Sequence, residues 1–125
     1  MTSYKQSVPL ADRQAQVTKI LAKYPHMIPV CVELNKKSNS ILSDLPKKKH
    51  LVPGDQPFSY LQYQIRNRLK LKEKETIFFF VHTKDGVVAP VGTELMKQIY
   101  QKHRDEEDGM LYVTFMSQSF FGGFS

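Results

Sequence analysis

Cysteine is nearly absent from these 125 residues, Cys31 standing alone. A single thiol excludes an internal disulfide framework and fits a reducing compartment. No apolar run approaches the roughly 18 residues of a membrane span. Met1-Thr2-Ser3-Tyr4-Lys5 carries no apolar h-region, so a secretory signal is not expected and the chain reads as cytoplasmic. There is no Walker loop and no Gly-rich dinucleotide fingerprint. The four histidines, His26, His50, His82 and His103, lack metal-ligand spacing and have no cysteine pair beside them. Nucleophilic catalysis needs a nucleophile, a base and an orienting group, and Cys31 shows no local signature of that kind. The expectation is no enzyme, no catalytic residue, no metal and no cofactor.

What is present suits one soluble domain with a modest core. The net charge of +6 favours an acidic partner: nucleic acid, anionic lipid or acidic peptide. Nucleic-acid binding calls for lysines and exposed aromatics interleaved on one face. Here Phe78 to Phe80 read as core and the lysines are scattered, so no nucleic acid is expected.

Leu10, Val17, Ile20, Leu21 and Tyr24 recur at helical spacing, with Asp12, Arg13, Gln16 and Lys19 between them, predicting a helix over 10–23 that stops before Pro25. Residues 1–9 are either a short helical turn or loose. Ile28 to Leu34 alternates like a strand, with Ile28, Val30, Val32 and Leu34 on the core face. Pro29 cannot donate to a ladder, so its end belongs on an edge or at a strand start. Lys47 to Pro53 reads as an edge strand, lysine-rich and proline-ended. Asp55 is the expected cap of a helix carrying Phe58, Leu61, Ile65 and Leu69 and ending near Leu71. Thr76 to Val81 predicts a central strand covered on both faces. Asp85-Gly86 signals a tight turn into Val87-Val88. Thr93 is the expected cap of a helix with Leu95, Met96, Ile99 and Tyr100, and Leu111 to Phe115 closes the order as a strand. This α-β-β-α-β-β-α-β order predicts an α+β fold, a mixed sheet with helices on one face.

Two stretches carry chemistry. Lysines beside exposed apolar residues on an edge strand can accept an extended peptide as an extra strand. Backbone hydrogen bonds then give affinity, apolar pockets admit alternate side chains, and the lysines attract acids. The same residues also suit an edge whose sole role is to resist aggregation. The second stretch is Phe120-Phe121-Gly122-Gly123-Phe124-Ser125, following the last strand. Glycine has no Cβ, so an extended chain there can thread a narrow protease or ligase channel. The bland reading is a frayed end.

The chain resembles the autophagy ubiquitin-like modifiers, the GABARAP and light-chain-3 family, from about Ile20 through Gly122. The marks are Lys23-Tyr24-Pro25, Ile28-Pro29-Val30 and Val32-Glu33; Asp44-Leu45, Lys47-Lys48-Lys49 and Leu51-Val52-Pro53-Gly54-Asp55; Ile65-Arg66 with Arg68; and Phe78-Phe79-Phe80-Val81. Ile99-Tyr100, Glu107-Asp108-Gly109, Leu111-Tyr112-Val113-Thr114 and Phe121-Gly122 follow. Each string is short, but their joint order is specific. The resemblance implies a ubiquitin-like β-grasp core at 26–116, an N-terminal helical extension at 1–25 and a flexible processed tail at 117–125. It implies cleavage by a cysteine protease and transfer by E1-like and E2-like enzymes. The product is an amide between the exposed glycine and phosphatidylethanolamine on autophagosomal membranes. Cargo receptors are then recruited through short acidic aromatic-x-x-aliphatic motifs.

Carried onto this chain, the processing and lipid-attachment site is Gly122, or alternatively Gly123, with Phe121 before it. The aromatic-anchor pocket takes Ile20, Pro29, Cys31, Lys49, Leu51 and Met110. The aliphatic-anchor pocket takes His50, Val52, Pro53, Leu61 and Ile65, with Gln56 and Gln64 at its rim. Arg68 contacts protease or ligand, and Lys47 and Lys49 pair with the acidic flank. Gln56 and Gln64 stand where family members usually carry apolar residues, which implies a shallower, wetter aliphatic pocket. An unconjugated adaptor using the same face is the rival, and it would tolerate loss of Gly122.

Overall fold

A computed structural model describes residues 3–35, 44–70 and 76–117. Among them the elements run α1 (Tyr4–Ser7), α2 (Leu10–Lys23), β1 (Met27–Leu34), β2 (Lys49–Pro53), α3 (Phe58–Leu69), β3 (Ile77–Thr83), β4 (Gly86–Val88), α4 (Met96–His103) and β5 (Leu111–Ser117). The strands form one mixed sheet in the order β2-β1-β5-β3-β4. β1 and β5 are parallel, and the other neighbours are antiparallel.

Helices cover both faces of this sheet, not one. Phe58, Leu61 and Ile65 of α3 and Met96 and Ile99 of α4 pack with Val30, Val32, Val52, Phe79 and Phe115 in the main core. Tyr4 and Val17 of α1 and α2 pack with Cys31 and Met110 in a second, smaller cluster on the opposite side. The short turn at the start is therefore a real element. Ser3 and Gln6 close it reciprocally, each side chain bonded to the other's backbone N–H.

Two-sided cover falls on β1, where Ile28 through Glu33 are all buried. The expected central strand, β3, lies beside the short edge strand β4 and alternates, with Ile77, Phe79 and Val81 buried and Phe78 and Phe80 half-buried. The central position belongs to β5. Pro29 sits one residue before the parallel pairing with β5 begins at Val30. Val32 donates its N–H to Lys48 of the β2 side at 2.8 Å, and strand N–H groups alternate. The N–H that Pro29 lacks would therefore face β5, beyond that ladder's start.

Neither expected helix cap is used. α3 starts behind Pro57 and α4 behind Leu95, with no side-chain cap on either. Their orphan amides are satisfied across the fold instead. Phe58 and Ser59 donate to the carbonyls of Glu94 and Gly92 at 2.8 and 2.9 Å, while Met96 and Lys97 donate to Gln56 and Gly54 at 2.9 Å each. Asp55 and Thr93 are exposed beside this exchange.

Arg13, which periodicity places among the polar residues of α2, is buried. Its guanidinium meets Asp108 at 3.0 Å, and the Asp108 side chain has no exposed surface. Asp108 also accepts from the Met110 N–H at 2.8 Å and from the Tyr112 hydroxyl. Gly109, next along, has φ +77°, where a side chain would be strained and a Cβ would meet Val17 at 3.1 Å. The pair fastens α2 to the turn before β5. Removing one partner of a buried pair strands the other charge, so Asp108→Ala should cost about 3–5 kcal/mol in urea denaturation. Adding Arg13→Leu should recover part of that loss; a double variant no more stable than the single would show that the pair is not the cause.

Candidate functional site

β2 pairs with β1 on one side only, among the described residues. The bonds from Val32 to Lys48 and from Gly54 to His26 (2.9 Å) set the alternation along this pair. His50 and Val52 therefore turn their backbone groups toward β1, and Lys49 and Leu51 turn theirs outward. Side chains alternate between faces as well. Val52 enters the main core under α3, and Lys49 reaches Gln16 on α2.

A groove of about 400 Å³ crosses this free edge. Ile20, Pro29, Leu51 and Met110 line it toward α2; His50, Gln64 and Arg68 line it toward α3; Lys47 and Lys49 complete it. No carboxylate is among these lining residues. The three neighbouring lysines differ in what holds them. Lys48 is engaged by Glu33 at 2.9 Å and Asp44 at 3.5 Å, and the hydrogen bond to Glu33 helps push its pKa up. Lys49 donates to the Gln16 side-chain oxygen at 2.8 Å, and its Nζ lies 5.7 Å from the Tyr4 ring centroid. The Tyr4 hydroxyl donates to that same Gln16 oxygen at 2.9 Å. Both partners of Lys49 are neutral, so its charge is uncompensated at the groove. Gln16 and Tyr4 were not legible as site residues, because a polar helix position and an N-terminal tyrosine carry no docking signature.

Most of the expected aromatic-anchor residues come together: Ile20, Pro29, Lys49, Leu51 and Met110 all line the groove. Cys31 does not. It is fully buried in the α1/α2 cluster, with its Sγ 3.8 Å from Glu33 Oε1. Burial, with the Glu33 carboxylate beside it, pushes its thiol pKa up. The expected aliphatic-anchor set divides. His50 and Gln64 line the groove, whereas Val52, Leu61 and Ile65 have no exposed surface and belong to the core. Leu61 and Ile65 are one helical turn apart on the buried stripe of α3, and Val52 faces that stripe, so packing consumes all three. Pro53 and Gln56 are half-buried outside the groove lining, joined by a 3.1 Å bond from the Gln56 N–H to the Pro53 carbonyl. Lys47 and Arg68 line the groove as an electrostatic rim. Phe121, Gly122 and Gly123 lie outside the described residues. Among the described residues no three His, Cys, Asp or Glu side chains converge on a metal-sized site, and no helix is long and apolar enough to cross a membrane.

Comparison with known proteins bears on this geometry. A family model described as "Autophagy protein Atg8 ubiquitin like" matches residues 12–122. Autophagy-related protein 8b of Arabidopsis thaliana is 43% identical over 121 residues, covering 97% of this chain and 93% of that one. Autophagy-related protein 8 of Colletotrichum lindemuthianum is 40% identical over 123 residues, covering 98% and 96%. Among solved structures, Trypanosoma brucei ATG8 superposes with a TM-score of 0.79 at 30% identity, covering 94% of this chain and 96% of that chain. Plasmodium falciparum Atg8 in complex with a Plasmodium falciparum Atg3 peptide superposes with a TM-score of 0.78 at 31% identity, covering 94% and 99%.

The position of Cys31 has a chemical signature. A buried thiol with a raised pKa forms little thiolate, the reactive species. The native protein at mildly alkaline pH should resist iodoacetamide, while the urea-unfolded chain should gain one adduct by intact mass. Rapid alkylation of the folded protein would place Cys31 at an open surface.

Proposed function

The chain belongs to the Atg8 family of ubiquitin-like autophagy proteins, and from that membership we propose that the groove across β2 docks short acidic peptides. The protein is a ubiquitin-like modifier of autophagy and not an enzyme. The observation that carries the docking reading is the union of a strand edge unpaired among the described residues with a cationic groove whose described lining holds no carboxylate. An extended ligand can bond to the outward backbone groups of Lys49 and Leu51. Its aromatic anchor has the apolar wall of Ile20, Pro29, Leu51 and Met110, and its acidic flank has Lys47, Lys49 and Arg68. Peptides of the aromatic-x-x-aliphatic kind, carried by cargo receptors, have this chemistry.

Conjugation is the second half of the reading. A cysteine protease exposes Gly122, and E1-like and E2-like enzymes pass its carboxyl group to phosphatidylethanolamine. Support for an E2-like partner comes from the Plasmodium falciparum relative, whose structure holds an Atg3 peptide. The protein then moves from the cytoplasm to the autophagosome membrane, tethered through its covalent lipid.

Docking is tested by calorimetry with an acidic aromatic-x-x-aliphatic peptide. Leu51→Ala removes apolar wall and should cost on the order of 1–3 kcal/mol. Lys49→Glu should also weaken binding, and more so at low salt, since exposed charges are screened as salt rises. Unchanged affinity in both variants would discard the edge-strand site.

Processing is tested by intact mass of the protein recovered from its own cells. The mature chain should end at Gly122, and Gly122→Ala should abolish cleavage and lipidation. A mature mass that retains Phe124 refutes the assignment, and one ending at Gly123 moves the site by one residue.

A further inference from the structure

The α3 half of the groove contains a polar group with nothing to bond among the described residues. His50 is 7% exposed, and its Nε2 is buried without a hydrogen-bond partner there. Two cations line the groove with the ring and act on it electrostatically: Arg68 from α3 and Lys47 from the segment before β2. β1 opposes it with Val30, which has no titratable group. The Lys47 backbone acts the other way, favouring the charged ring. Burial first, then Arg68 and Lys47, hold the ring's pKa below its ordinary value, so it is neutral at pH 7.

Building on the docking reading above, we propose that the α3 half of this groove receives a ligand carboxylate, with His50 as a specificity-determining residue. On docking, the ring takes one proton from solvent and donates from Nε2 to the carboxylate. A carboxylate seated among Lys47, Arg68 and His50 offsets the repulsion of both cations on the ring and gives Nε2 an acceptor. Charge then balances locally, one negative group entering as one ring becomes positive. Gln64 lines the same half and has amide N–H groups to offer a second carboxylate oxygen. Arg68 is exposed and Gln64 half-buried, so both side chains are able to shift and open the path to Nε2.

The sign of the pH dependence follows. The ring's pKa is low in the free protein and higher in the complex, so docking takes up a proton between those two values. Affinity therefore rises as pH falls, and levels off once the free protein is itself protonated. One proton limits the slope to about tenfold per pH unit.

The test uses the full chain and peptides identical except for Leu, Glu or Gln at the aliphatic-anchor position. Calorimetry from about pH 8 to pH 6, across the histidine range, in buffers of different ionisation enthalpy, reads affinity and proton uptake together. The Glu peptide should tighten by up to about tenfold per pH unit and take up as much as one proton, while the Leu and Gln peptides stay flat. His50→Phe, a ring of similar size without nitrogen, should erase the slope for the Glu peptide. The comparison of Glu with Gln on the unaltered protein decides the matter even if that variant folds poorly. A flat Glu profile, or a slope that survives His50→Phe, overturns the proposal. So does preferential binding of the Gln peptide without proton uptake, which would make Nε2 a plain acceptor. If none of the peptides binds, the docking reading itself fails and this assignment falls with it. If the Leu peptide binds through Leu51 while the Glu peptide shows no pH response, only this assignment fails.

Discussion

The burial of β1 on both faces is the constraint from which the architecture follows. A strand sandwiched between two helical layers must carry apolar side chains in both directions or satisfy its polar ones locally. Ile28, Val30 and Val32 meet the α3/α4 side, and Cys31 meets α1 and α2. Glu33 is the polar exception, and it is satisfied by the Tyr4 N–H at 2.9 Å and by Lys48. With β1 held between β2 and β5, the sheet can end only at β2 on that side, which leaves the edge where the groove forms.

Much of this was legible in residue order. The periodicity of α2, the alternation of β1, the proline-ended lysine edge and the Asp-Gly hairpin each follow from local rules, and each element is present near its expected bounds. What escaped were features that depend on partners distant in sequence. Asp55 and Thr93 have the side chains of helix caps, yet backbone carbonyls from across the fold supply that role. Arg13 reads as surface until Asp108 is placed beside it. The apolar run of β3 suggested a doubly covered strand, but Phe78 and Phe80 remain half-buried. Within the site, the resemblance placed Val52, Leu61 and Ile65 in a pocket wall, while the spacing of Leu61 and Ile65 along α3 already marked a buried stripe, and all three are packed in the core.

The run Lys47-Lys48-Lys49 looks uniform as text and is divided in space. Lys48 is committed to carboxylates inside the fold, so it contributes to stability more than to recognition. Lys49 is steered by an amide oxygen and an aromatic face, which orient it without neutralising it. A ligand acid approaching Lys49 therefore has no internal ion pair to break. It competes with the Tyr4 ring and with Gln16, whose oxygen is shared with the Tyr4 hydroxyl.

The reciprocal backbone bonding at the starts of α3 and α4 bears on how the molecule opens and closes. Each helix obtains acceptors for its first amides from the loop that leads into the other. Neither helix can begin properly while its counterpart is displaced, so the two starts form one cooperative unit despite their separation along the chain. Opening of the amides at Phe58 and Ser59 is thereby coupled to opening of those at Met96 and Lys97, so fraying at either start loosens both.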